Sequence, residues 1–156
     1  MAVLLLGLVG VALAQPGGSA AKVTWTVRGD TLAPGKTGAV TLRASIAKGW
    51  KMYAPASPPP SVGVSVLGVT SDPSGVNARG DSLVAIGATT AYDPNFGKDV
   101  HFLSGEARLR LPLSMSTEAR PGTHWLRGTL QFMVCTEEIC LPPDTESFEA
   151  TVVATD

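Results

Sequence analysis

Apolar and polar positions alternate with a period of two along most of this chain. Val40-Thr-Leu42-Arg-Ala44-Ser-Ile46 is a strict example, with one face apolar and the other polar. Ala107-Arg-Leu109-Arg-Leu111 and Phe148-Glu-Ala150-Thr-Val152 repeat the pattern. Val23–Arg28, Trp50–Ala54, Val62–Val69, Val100–Leu103 and His124–Val134 are further strand candidates. Between them lie turn clusters: Pro34-Gly35-Lys36, Ser71-Asp72-Pro73-Ser74-Gly75, Asp93-Pro94-Asn95 and Pro121-Gly122. Seventeen glycines and twelve prolines, with no helical periodicity after the first residues, argue against a helical protein. About seven to nine short strands separated by turns predict an all-β antiparallel sandwich of immunoglobulin type.

Three stretches leave this pattern. Pro55-Ala-Ser-Pro58-Pro59-Pro60 predicts a stiff, polyproline-like connection. Ser71–Ser82 reads as a polar loop. Thr89–Lys98 reads as a longer loop carrying Tyr92 and Phe96 on a Gly/Pro/Asn frame. An aromatic so placed is either a plug over the end of the sandwich or a lid over a reactive group.

The N-terminus bears on the compartment. Val3–Leu13 is an apolar run of signal-peptide length, and Ala12-Leu13-Ala14 before Gln15 reads as a cleavage site, although no Lys or Arg precedes the run. It is shorter than the roughly twenty residues needed to cross a bilayer. The expectation is a signal peptide over residues 1–14, export, and a single domain over residues 15–156. The net charge is −1, with Lys and Arg scattered singly, so no basic stripe for nucleic acid or an anionic membrane is visible.

Cys135 and Cys140 are the only cysteines, set in Phe132-Met-Val-Cys135-Thr-Glu-Glu-Ile-Cys140-Leu-Pro-Pro143. Closing a loop of about six residues yields only roughly 2 kcal/mol of chain-entropy stabilisation, against about 4.7 for a hundred-residue loop. Such a pair suits redox exchange better than it suits a rivet, yet a lone exported pair is also compatible with a structural disulfide, and the residues leave both readings open. Cys135 ends a predicted strand and Cys140 follows a short turn, where the sulfurs can reach the Cα separation of roughly 5.5–6 Å that disulfides prefer. Pro142 and Pro143 remove two backbone donors, which keeps the segment after Cys140 from pairing fully. Glu137 and Glu138 raise a neighbouring thiol pKa, and neither a helix N-terminus nor a nearby Lys is evident to oppose them. The dithiol is therefore expected not to be strongly acidic, and to depend on a partner for the activated thiolate.

The block Leu130-Gln-Phe-Met-Val-Cys135-Thr-Glu-Glu-Ile-Cys140-Leu-Pro-Pro143 resembles the signature of the periplasmic amino-terminal domain of the thiol–disulfide interchange protein DsbD. Gly49-Trp50-Lys51-Met52-Tyr53 looks like that family's Gly-Trp-x-x-Tyr strand, and Asn95-Phe96-Gly97-Lys98 is similar to its cap loop. The likeness extends from about residue 23 to 153, with the cysteine block its specific part. It implies an immunoglobulin-like sandwich with the redox pair at one end, located in the periplasm. Reducing equivalents would come from a membrane transporter of DsbD or CcdA type and pass to thioredoxin-like periplasmic proteins. Cys140 would form the mixed disulfides and Cys135 would resolve them. Phe96 would be the shielding aromatic of the cap, with Tyr53 beside the site. The disulfide itself would be the redox group, with no other cofactor and no metal, in a monomer that binds no nucleic acid. The family often carries acids directly before the cap aromatic. Here Pro94-Asn95 occupies those positions, with Asp93 further back, which puts a role for such acids in doubt.

Other chemistries find less support. Met52, Met115, Met133, His101, His124 and the cysteines are soft copper ligands, but none fall at tight ligand spacing, and methionines more often fill core gaps. No Gly-x-Ser-x-Gly elbow marks a hydrolase. Trp25, Trp50 and Trp125 offer a carbohydrate platform, but on three separate strands they read as core. The competing class is a non-catalytic exported sandwich, a binding or assembly module with a structural disulfide.

Overall fold

A computed structural model describes residues 17–156; the expected signal peptide over residues 1–14 lies outside them. Among the described residues the chain is built from strands and two 3-10 turns, Ser19–Lys22 and Gly80–Ser82. The strands are β1 (Val23–Gly29), β2 (Thr31–Leu32), β3 (Thr37–Ile46), β4 (Lys51–Tyr53), β5 (Ser65–Ser71), β6 (Val76–Ala78) and β7 (Val84–Ile86). They continue as β8 (Thr89–Asp93), β9 (Lys98–Leu103), β10 (Glu106–Met115), β11 (Gly122–Phe132), β12 (Val134–Cys135) and β13 (Asp144–Ala154).

One sheet has the order β1-β3-β10-β6, with β7 also on β10, and a second has the order β2-β13-β11-β5. Pairing is antiparallel apart from the parallel contact of β2 with β13. Alternation decides which side chains enter the core. Val40, Leu42 and Ala44 of β3 and Leu109 and Leu111 of β10 meet Leu126, Leu130 and Phe132 of β11 and Val152 of β13 in one buried cluster. This is the expected immunoglobulin-like β-sandwich.

A third, smaller sheet has the order β12-β4-β9-β8 and positions the cysteines. All three residues of β4 are buried, because each of its faces is covered. Met52, paired with Val134 and Leu103, belongs to the main core. On the opposite face Tyr53 joins Val100, Met133 and Cys135 in a second cluster, against which Val62, Phe96 and Phe102 pack.

Two of the loops expected from sequence contain strands. Thr89–Asp93 is β8 and pairs with β9, so the cap shrinks to the turn between Asp93 and Lys98. Only Pro94-Asn-Phe-Gly97 has turn chemistry, whereas Thr89-Thr-Ala-Tyr92 is ordinary strand sequence. Ser71–Ser82 likewise contains β6, which pairs with β10.

Candidate functional site

Cys135 and Cys140 form a disulfide with an S–S distance of 2.03 Å. Their Cα atoms are 4.0 Å apart, closer than the separation expected from sequence. The reason is the hairpin: Cys135 and Cys140 face each other directly as an isolated antiparallel bridge. Thr136 builds the turn between them. Its N–H donates to the Ile139 carbonyl at 2.8 Å, and its hydroxyl oxygen accepts from the N–H groups of Glu138 and Ile139 at 3.2 and 3.1 Å. Such hydroxyl-to-backbone bonds close a turn without help from other strands. After Cys140 only the Leu141 N–H returns to the β12 backbone, donating to the Val134 carbonyl, and the two prolines follow with no donor to offer.

The two sulfurs have different surroundings. Cys135 is fully buried at 0% exposure, whereas Cys140 is exposed. From the other side the hairpin is clipped by Ser19, whose hydroxyl accepts from the Val134 N–H at 3.0 Å and donates to the Pro142 carbonyl at 2.8 Å. Sequence reasoning missed Ser19, since a serine 115 residues away carries no local signal for this contact.

Beside Cys135 lies a buried polar group that the sequence did not announce. Lys51 is the Cα partner of Cys135 across β4 and β12. Its ammonium lies 3.0 Å from Asp93 Oδ2 and 3.2 Å from Glu137 Oε1. The absence of a nearby lysine, expected from sequence, is therefore corrected: Lys51 is 84 positions before Cys135 in the chain but adjacent in the sheet. Asp93, at 0% exposure, also accepts from the Tyr53 hydroxyl at 2.6 Å and from the Asn95 N–H at 2.8 Å. Burial raises its carboxyl pKa, but the bonds from Tyr53, Lys51 and the Asn95 backbone, with the charge of Lys51, together bring it below the ordinary value. Burial first, then Asp93 beside it, push the Tyr53 phenol far above its usual range, so Tyr53 remains a donor. Asp93 thus places a buried carboxylate beside the cap, three positions before Phe96 rather than directly before it.

The cap is tied to the hairpin through these groups. Asn95 Nδ2 donates to the Thr136 carbonyl at 2.8 Å, and Lys51 bridges Asp93 of the cap to Glu137 of the turn. Gly97, with φ of 65°, takes the left-handed conformation that closes the cap turn, where its N–H donates to the Asp93 carbonyl at 2.8 Å. Phe96 meets Tyr53 edge to face with ring centroids 5.4 Å apart. Cys135, Tyr53 and Phe96, drawn from three separate segments of sequence, therefore share one cluster, with Cys140 at its open side. Among the described residues, no group of three or more His, Cys, Asp and Glu side chains is arranged to hold a metal.

The geometry is that of a disulfide between one buried and one exposed cysteine. Solved structures similar to the chain include the Neisseria meningitidis DsbD N-terminal domain in its reduced form, 21% identical, covering 88% of each chain with a TM-score of 0.48. The N-terminal periplasmic domain of ScsB from Proteus mirabilis is 15% identical over 81% of this chain and 44% of that one, with a TM-score of 0.48. A type I cohesin from Pseudobacteroides cellulosolvens is 8% identical over 86% of this chain and 92% of that one, with a TM-score of 0.47. Comparison with curated protein sequences gives no match. The family described as "Thiol:disulfide interchange protein DsbD, N-terminal" matches residues 17–152, nearly all of the described chain, and the protein belongs to that family.

Proposed function

We propose that this protein carries reducing equivalents through Cys135 and Cys140 in the periplasm. The donor is a membrane thiol–disulfide transporter of DsbD or CcdA type, and thioredoxin-like periplasmic proteins are the acceptors. The carrying observation is the asymmetry of the disulfide, with Cys135 buried and Cys140 exposed. A partner thiolate needs access to the sulfur it attacks, and only Cys140 offers it. Attack by a donor thiolate forms a mixed disulfide at Cys140 and releases Cys135, and the second thiol of the donor then frees Cys140 as the donor is oxidised. On delivery the Cys140 thiolate attacks the acceptor's disulfide, and Cys135 resolves that mixed disulfide, leaving the acceptor reduced. Phe96 and Tyr53 shield the buried sulfur until a partner displaces the cap. The disulfide is the redox group, and no further cofactor takes part.

Equilibration against graded thiol buffers tests this reading. A reduction potential of about −180 to −270 mV places the pair among exchange proteins, whereas a value below about −300 mV is that of a structural bridge and would return the chain to the binding-module class. Trapping sharpens the assignment of roles. Cys135→Ser should accumulate mixed disulfides with periplasmic thiol proteins, and Cys140→Ser should accumulate none.

A further inference from the structure

Exchange at Cys140 makes Cys135 the leaving sulfur, and the residue opposite Cys135 in the sheet is Lys51. Directly opposed residues of an antiparallel pair project their side chains to the same face, with Cβ atoms about 4.5–5.5 Å apart. The Lys51 side chain is only 8% exposed, and a lysine is rarely buried to that extent unless it is paired. Its two carboxylate partners are not equivalent. Asp93 is inaccessible and is fixed by Tyr53 and the Asn95 backbone as well as by Lys51. Glu137 has 73% of its side chain in solvent and touches the network only through Lys51, at 3.2 Å. An exposed arm of this kind is held weakly and is readily replaced.

We propose that Lys51 is a positioning residue that exchanges Glu137 for the Cys135 thiolate when the disulfide opens. This rests on the carrier reading above. A partner thiolate attacks Cys140 Sγ, and a new S–S bond forms between those two sulfurs. The Cys135–Cys140 bond breaks, and its electron pair goes to Cys135 Sγ, which becomes a thiolate. No proton is required. The charge arises in a cluster whose other members are Val100, Met133, Val62, Phe96, Phe102 and Tyr53. The titratable groups around it are Lys51 and Tyr53 of β4, Asp93 at the end of β8, and Glu137 of the hairpin; β9 contributes Val100 and Phe102, which do not titrate. Lys51 is the one cation in that set. When Glu137 turns into water, the ammonium stays anchored on Asp93 and faces the new thiolate. A leaving thiol of lower pKa departs faster, and an opposite charge within about 4–6 Å lowers an acid's pKa by roughly 1–3 units. In the return step Cys135 attacks Cys140 Sγ, expels the partner as its thiolate, and Glu137 closes on Lys51 again.

The test needs no partner protein. In a Cys140→Ser background Cys135 is the single thiol, and its pKa can be read from the pH dependence of alkylation and of thiolate absorbance. Lys51→Gln should raise that pKa by about one unit, Lys51→Arg should restore it, and Glu137→Gln should lower it. Removing one partner of a buried pair can also unfold the protein, so Lys51→Met with Asp93→Asn removes both charges together. A lysine that merely neutralises Asp93 gives no shift in that double variant, whereas charge exchange gives a rise. An unshifted or lowered pKa on loss of Lys51, or an unshifted one in Glu137→Gln, overturns the proposal. Failure of the carrier reading would show elsewhere, as a structural-range potential and no trapped partner, and would leave these titrations interpretable.

Discussion

Near each end of β11 a buried basic side chain is bonded to a carboxylate, and the two differ in what the charge can do. Near its start stands His124, 5% exposed, with Nδ1 2.9 Å from Asp72 Oδ2 and Nε2 2.8 Å from the Arg120 carbonyl. Beyond its far end, roughly 30–35 Å away along extended chain, stands Lys51 with Asp93 and Glu137. Asp72 is held in its turn by the Ser74 N–H and hydroxyl, and Arg120 contributes its backbone carbonyl. Gly75 of the Asp72 turn lies so close to the imidazole that a Cβ there would overlap the ring. His124 thus links the Asp72 turn to the Arg120 backbone, far along the chain from the two cysteines. Lys51 has one fixed partner, one replaceable partner and a sulfur across the sheet. Burial of a charge alone therefore says little about function, whereas a replaceable partner beside a reactive bond says a good deal.

The comparison can be broken first at Lys51. Lys51→Met leaves Asp93 buried without its cation, a change that costs about 3 kcal/mol, and denaturant unfolding of the oxidised protein should show that loss. A cost near zero would mean that Asp93 does not need the cation, and Lys51 would then lack the fixed partner that sets it apart from His124. Tyr53→Phe removes the hydroxyl that donates to Asp93 while keeping the ring against Phe96. It should cost about 2 kcal/mol, as for a hydrogen bond to a charged group, and an unchanged midpoint would show that Lys51 alone satisfies the carboxylate.

At the other end the effect is a pH dependence. The Arg120 carbonyl raises the His124 pKa most; burial lowers it and Asp72 raises it further, leaving it above the ordinary value. A folded pKa above the unfolded one, about 6.5, gives stability that is complete below that pH and is lost as the pH climbs through the folded value. The melting temperature should fall over that range, and His124→Gln should flatten the fall without altering the reactivity of the disulfide. A variant that changed disulfide reactivity would join the two ends and undo the contrast. Phe96→Ala loses the aromatic contact with Tyr53, about 0.5–1.5 kcal/mol beyond the area it buries, and should make the disulfide react several-fold faster with small thiols. An unaltered rate would dispose of the cap as a shield.

Much of this was legible in the alternation. The strict period of β3, β10 and β13 determined which side chains are buried, because a half-covered sheet admits only one assignment of faces. The cysteine block was legible because its turn is local: Thr136 closes it, and Pro142 and Pro143 stop the pairing beyond it. The short strands β6 and β8 were not legible, since each pairs along only part of a segment that otherwise reads as a turn. Nor was Lys51, which the sequence presents as one of many scattered cations. The same scatter hides a cluster on the outer face of the first sheet, where Arg43 and Arg108 are Cα partners and both Arg28 and Arg110 pair with Thr41.

By itself the sequence determined the sandwich, the family and the two sulfurs, because alternation and turn chemistry act between neighbours in the chain. The tertiary structure alone decided that Cys135 is the buried cysteine, that Asp93 pairs with Lys51 from behind Pro94, and that Lys51 stands opposite Cys135. Those outcomes depend on the registers of β4 with β12 and of β8 with β9, which join residues far apart in the chain. A shift of one residue in either register would turn every side chain of that strand to the other face, and only the packed core selects between the two.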